Sequence, residues 1–169
     1  SDPDYLLIVV HEFCHSYSNP IIDRHEAELR PAGEIIYRSV TAKMQSMAYG
    51  DWKTVLYESL DRACCIRYTC RCYGEEAAQK VARSDRAAGF AWIADLAILL
   101  GQYEAHRDRY PTLEAFSPQI IAFLNTYAEK VSKEQAGRAM MRPKVVSTAP
   151  PDGATDVNPN LAKIQVVFD

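Results

Sequence analysis

A mainly α-helical fold with a short β segment at its C-terminal end is what this sequence predicts. Apolar residues recur at helical spacing, as in Ile93, Leu96, Leu100 and Tyr103, and again in Leu113, Phe116, Ile120, Leu124, Tyr127 and Val131. Breaks at Arg30-Pro31, Gly50-Asp51, Tyr73-Gly74 and Ala88-Gly89 cut the chain into pieces of ordinary helix length. Composition then changes abruptly after Met140-Met141-Arg142-Pro143. Prolines and turn formers fill Val145 to Gly153, and Ile164-Gln165-Val166-Val167-Phe168 reads as a strand.

The first helix is expected from about Pro3 to Ser18. Asp2 offers a capping acceptor, Pro3 suits the first helical position, and Asn19-Pro20 marks the far end. The alternative, a core strand, draws on Ile8-Val9-Val10 but leaves those end signals unexplained. Within this helix lies His11-Glu12-Phe13-Cys14-His15. Two histidines four apart project from one face and can reach one metal ion, while Glu12 between them can take a proton from an activated water. That combination is the chemistry of a zinc peptidase. The apolar run Tyr5 to Val10 leads into His11, which predicts a buried motif helix with the site at the bottom of a cleft.

A catalytic zinc needs a third protein ligand. A third histidine at short spacing would require a glycine and a histidine where Ser18 and Ile21 stand, so that pattern fails. His25 falls four residues too late, in the polar run with Asp23, Arg24, Glu26 and Glu28, and reads as a solvated surface histidine. A glutamate from a second helix fits better. Glu58 lies in the largely apolar stretch Trp52 to Ala63 after an Asp51 cap, where an unpaired carboxylate would be costly to bury. Its competing role is a salt bridge to Arg62 one turn on, and Glu26, Glu28 and Glu34 are rival ligands in more polar surroundings. Tyr57, Tyr68, Tyr103 and His106 are oxyanion donors that sequence does not separate.

Composition narrows the partners. With 48% hydrophobic residues the chain can form one well-packed domain, and a net charge of −3 without a dense basic stripe argues against nucleic acid or an anionic membrane. No apolar stretch is long enough to span a bilayer, and Ser1-Asp2-Pro3 is not a signal peptide. The five cysteines are Cys14, Cys64, Cys65, Cys70 and Cys72. Four crowd into one predicted helix, where neighbours are poorly placed for disulfides, and Cys70-Arg71-Cys72 lacks zinc-knuckle spacing. Small core residues are the expectation.

His11 to Pro20 resembles the HEFxHSFxNP signature of a bacterial domain-of-unknown-function family considered zinc-peptidase-like. Tyr57-Glu58-Ser59-Leu60-Asp61-Arg62-Ala63 resembles its downstream glutamate helix, and the similarity runs to about Val131. Carried over, the resemblance to glutamate-type zincins implies a Zn²⁺ cofactor, His11, His15 and Glu58 as ligands, Glu12 as base, and the helical part of a zincin-like metallopeptidase fold. Two departures stand out. Such enzymes place an aspartate four residues after the third ligand, where this chain has Arg62, the nearest acid being Asp61. They also build the cleft's upper wall from a sheet before the motif helix, and only ten residues precede His11.

Ala149 to Asn160 resembles the opening of bacterial Ig-like domains that follow many secreted enzymes and surface-layer proteins. This implies an extracytoplasmic protein, periplasmic, surface-attached or secreted, associated with the cell envelope. The expected organisation is a helical catalytic domain over 1–142, followed over 143–169 by a linker and the first strand of a truncated Ig-like domain. The expected function is a zinc metallopeptidase acting on peptides or proteins. The alternative is a non-catalytic binding module on the same scaffold.

Overall fold

The computed structural model describes residues 3–141, 145–158, 160 and 163–168. In chain order these form α1 (Pro3–Arg24), α2 (Glu26–Ser46), α3 (Trp52–Tyr73), α4 (Glu75–Ala88), α5 (Ile93–Ala105), α6 (Leu113–Met140), β1 (Val145–Ala149) and β2 (Gln165–Phe168). The mainly helical class with a small C-terminal sheet is therefore what the chain adopts. Two compact units result, one through Ser132 and one from Lys133.

In the first unit α3 is the central element, with α1, α2, α4 and α5 all packed on it. Its sequence explains why: Val55, Leu56, Ser59, Leu60, Ala63 and Ile66 are all buried, which requires cover on more than one side. The Asp51 carboxylate caps its start, accepting from the Thr54 N–H at 2.9 Å. Gly74 ends it with φ of 86°, a conformation that favours a residue without Cβ. Gly33 on α2 is required for a different reason. A Cβ there would lie 2.3 Å from the Trp52 ring, so only glycine lets this corner close. Trp92, Phe90 and Phe116 fill the centre of the core. The Trp92 indole donates to Ser59 Oγ at 3.0 Å and Ser59 in turn to the Val55 carbonyl at 2.6 Å, so the buried polar atoms are satisfied.

Two expected helix boundaries are corrected. The first helix does not stop at Ser18 but runs through Pro20 to Arg24, and α2 runs through Pro31. In each case the proline and the residue four before it, Ser16 or Ala27, are exposed, so water can reach the carbonyl that loses its partner. Burial of Ile21, Ile22, Leu29, Ala32 and Ile36 beside those prolines favours continuing the helix. The Asp2 cap lies outside the described residues.

The actual break is His25, the residue between α1 and α2, and it is not a solvated surface histidine. Its Nε2 lies 3.2 Å from Glu114 Oε1 and 3.1 Å from Ser117 Oγ, and its Nδ1 lies 3.3 Å from Glu28 Oε1. It ties the α1–α2 corner to the start of α6. Of the five free cysteines, only Cys65 is fully buried, so the core-residue expectation holds for that one alone.

In the second unit β1 pairs antiparallel with β2, with Ser147 opposite Val167, Thr148 opposite Val166 and Ala149 opposite Gln165. The strand expected at Ile164–Phe168 thus finds a partner in Val145–Ala149, a stretch that its turn-forming neighbours concealed in the sequence.

Candidate metal centre

The site forms where α1 crosses α3. His11 and His15 are one helical turn apart with ring centroids separated by 5.0 Å, both half-buried. Glu58 rises from α3 to meet them. Its Oε2 lies 3.6 Å from His11 Nε2 and its Oε1 3.7 Å from His15 Nε2, so each carboxylate oxygen faces one imidazole. Glu12 is exposed beside the pair, and the ligating atoms of His11, Glu12 and His15 all lie within 4.8 Å of one another. Of the four residues singled out by sequence, His11, Glu12 and His15 form one donor cluster and Glu58 lies against both imidazoles. Two of the rival glutamates are turned elsewhere: Glu26 to Arg30 and Lys53, Glu28 to His25.

Around this centre is a set of groups that sequence did not assign. Asp61, completely buried, accepts from the Ser18 hydroxyl through Oδ1, while its Oδ2 makes an ion-pair contact with His15 Nδ1 and has no other polar partner among the described residues. Asn19 Oδ1 is the other neighbour of that nitrogen, at 3.2 Å. Both are acceptor oxygens, so they favour a proton on Nδ1, the tautomer that leaves Nε2 as the nitrogen able to take a metal. The acid at His15 thus stands three residues after Glu58 rather than four, and Arg62 at the fourth position lies against Glu58 itself and Asp85. Its guanidinium lies 3.4 Å from Glu58 Oε2 and donates to Asp85 Oδ1 at 2.6 Å. Tyr49, from the turn before α3, donates its hydroxyl to Glu58 Oε2 at 2.8 Å and accepts from Arg62 at 3.1 Å. Both sequence roles of Glu58, facing the histidines and pairing with Arg62, are therefore present at once.

The electrostatics follow from burial and pairing. Burial works against ionisation of Glu58, yet the hydrogen bonds of His11 and Tyr49 and the charges of His11 and Arg62 outweigh it and hold its carboxyl below the usual range. His11 is raised by that same bond to Glu58, burial opposing. Burial pushes the Asp61 carboxyl up to about 6, against the Ser18 bond and the nearby histidines.

Two expectations do not survive the geometry. The motif helix is not buried all round: Ile8, Val9, Phe13 and Tyr17 are exposed, and only the side of α1 toward the core is covered. Nor do the suggested oxyanion donors gather at the site. Tyr57 donates to Asp23, Tyr68 stacks near Tyr73, Tyr103 packs on Phe116, and His106 bonds to the Gln102 carbonyl. Tyr49 was missed because it lies in a turn, next to Ala48 with φ of 65°, where helical periodicity gives no signal.

A family model described as "Domain of unknown function (DUF4932)" matches residues 2–123, the stretch that contains the whole centre. No curated protein and no solved structure matches the chain. No helix among the described residues is long and apolar enough to cross a membrane.

Proposed function

We propose for this chain, which belongs to the DUF4932 family, the function of a zinc-dependent metallopeptidase that hydrolyses peptide bonds in peptides or proteins. The observation that carries the reading is the convergence of two imidazoles from one helix turn and a buried carboxylate from another helix, 3.6 and 3.7 Å apart. Donor atoms on a tetrahedral zinc with bonds of ~2.0–2.1 Å stand about 3.4 Å apart, close to the separation of each imidazole from its Glu58 oxygen. The donor set fits as well: His15 presents Nε2 because Asp61 holds the proton on Nδ1, and Glu58 is ionised within a buried setting. His11, His15 and Glu58 would hold the metal. Zinc bound there would supply Lewis acidity toward a peptide carbonyl and a water.

The protein's own groups supply the rest. Glu12, exposed at the edge of the histidine pair, takes the proton from the attacking water and delivers it to the leaving amine. Asp61 fixes the His15 tautomer. Tyr49 and Arg62 together hold Glu58 Oε2, which orients the carboxylate toward both imidazoles. The zincin-like character of the helices and the Ig-like character of the tail belong to this reading, and with them a secreted or cell-surface location.

One observation favours a second reading, a non-catalytic binding module. Arg62 already offers Glu58 a cation, which a metal-free cluster needs. Chelation separates the two. For the peptidase, hydrolysis of a broad peptide library vanishes with chelator and returns with zinc. For the binding module, no zinc-dependent cleavage is found at any pH.

A further inference from the structure

Glu58 shares its cation with a second acid, and the two contacts are unequal. Arg62 Nη1 donates to Asp85 Oδ1 of α4 at 2.6 Å, while its Nη2 stays 3.4 Å from Glu58 Oε2. Attraction falls with distance, so the guanidinium pairs first with Asp85 and Glu58 keeps most of its negative charge. Asp85 is buried on α4, where a carboxylate needs such a partner. The Phe90 ring lies against the guanidinium, 4.7 Å from Cζ, and limits where it can turn. The same Nη2 donates to the Tyr49 hydroxyl at 3.1 Å, and that hydroxyl donates on to Glu58 Oε2 at 2.8 Å. A line of contacts thus runs from Asp85 through Arg62 and Tyr49 to a single carboxylate oxygen of Glu58. The other oxygen, Oε1, faces His15 Nε2 at 3.7 Å.

We infer that Tyr49 and Asp85 are positioning residues of the centre, which together make Glu58 a charged ligand offering a metal one oxygen, Oε1. This role rests on His11, His15 and Glu58 being a zinc site, the reading proposed for the centre. A carboxylate with both oxygens free can hold a cation through the two at once. With Oε2 bonded to Tyr49, two-oxygen binding requires breaking that bond in a desolvated setting, where it is strong. One oxygen and two imidazoles suit a tetrahedral ion and leave its fourth position open. Asp85 acts on charge instead. If it did not hold Arg62, the guanidinium could close on Glu58 and cancel the charge that draws a metal, leaving a cluster satisfied without one.

The test uses the full chain stripped with chelator, with Zn²⁺ in a competition titration and Co²⁺ as the spectroscopic probe. Tyr49→Phe keeps the ring beside Phe90, 6.3 Å between centroids, and removes only the hydroxyl, so the Tm of the metal-free chain should stay near that of the parent. Cobalt in the parent should show the strong visible absorption of a four-coordinate ion. In Tyr49→Phe that absorption should fall, because Glu58 can then give both oxygens and coordination rises above four. Asp85→Asn should weaken zinc binding by ~10–100-fold while the cobalt absorption keeps its strength, since Tyr49 still holds Oε2. Should Asp85→Asn fail to fold, the cobalt spectrum of Tyr49→Phe decides alone. A parent chain that binds neither metal refutes the zinc reading and this role with it. Metal bound by the parent, with cobalt absorption unchanged by Tyr49→Phe or zinc affinity unchanged by a folded Asp85→Asn, overturns the positioning role and leaves the zinc site standing.

Discussion

Two charged clusters join α1 to α3, the second reaching α2 as well, and only one has the makings of a site. The first links His11 and His15 of α1 to Glu58, Asp61 and Arg62 of α3. The second links Asp23 of α1 and Glu26 of α2 to Lys53 and Tyr57 of α3. Lys53 Nζ lies 2.7 Å from Asp23 and 2.7 Å from Glu26, closer than either histidine is to Glu58. Yet Asp23 is exposed and water competes for every charge in the second cluster, whereas Glu58 is 9% exposed and Asp61 0%. In water a tight ion pair gains little, because solvation is lost as attraction is won. Out of water the carboxylates hold their charge only through the groups around them, and lone pairs aimed at one point become a strong demand for a cation. Shorter contacts do not make the better site; desolvated, convergent ones do.

The comparison can be broken by substitution, starting from the largest effect. Glu12→Gln is expected to leave zinc bound and to lower peptide hydrolysis by ~10²–10⁴-fold, because only the base is lost. Turnover within a few-fold of the parent would remove Glu12 from that role. Asp61→Asn should weaken zinc binding by ~10–100-fold, since the group that fixes His15 loses its charge. Zinc affinity unchanged in a competition titration would mean that His15 is oriented without Asp61. Lys53→Ala, in the exposed cluster, should leave zinc affinity unaltered and Tm nearly so, because Asp23 and Glu26 return to water. A fall in Tm comparable to that of a core substitution would contradict the ranking of the two clusters.

How far the sequence revealed this arrangement depends on the kind of element. Helical spacing places His11, Glu12 and His15 around one end of one helix face, and the apolar stretch around Glu58 marks a carboxylate that needs a partner. Both are local patterns. The acid behind His15 was harder to read, because its identity depends on which way Asp61 and Arg62 turn from adjacent positions on α3. Tyr49 was illegible, since a turn residue is placed by the chain reversal and not by a period. The prolines misled for a related reason: Pro20 and Pro31 look like helix ends until exposure of Ser16 and Ala27 shows that water can satisfy the freed carbonyls. The exposed flank of α1 was misread because an apolar run signals burial without saying which residues are covered.

The central claim is that His11, His15 and Glu58 hold one zinc ion, and metal titration of the chelator-stripped chain tests it most directly. The account predicts binding of one zinc per chain, lost together with the accompanying rise in Tm when Glu58 is changed to Gln. Zinc that fails to bind the parent chain, or binds Glu58→Gln as tightly, would contradict it.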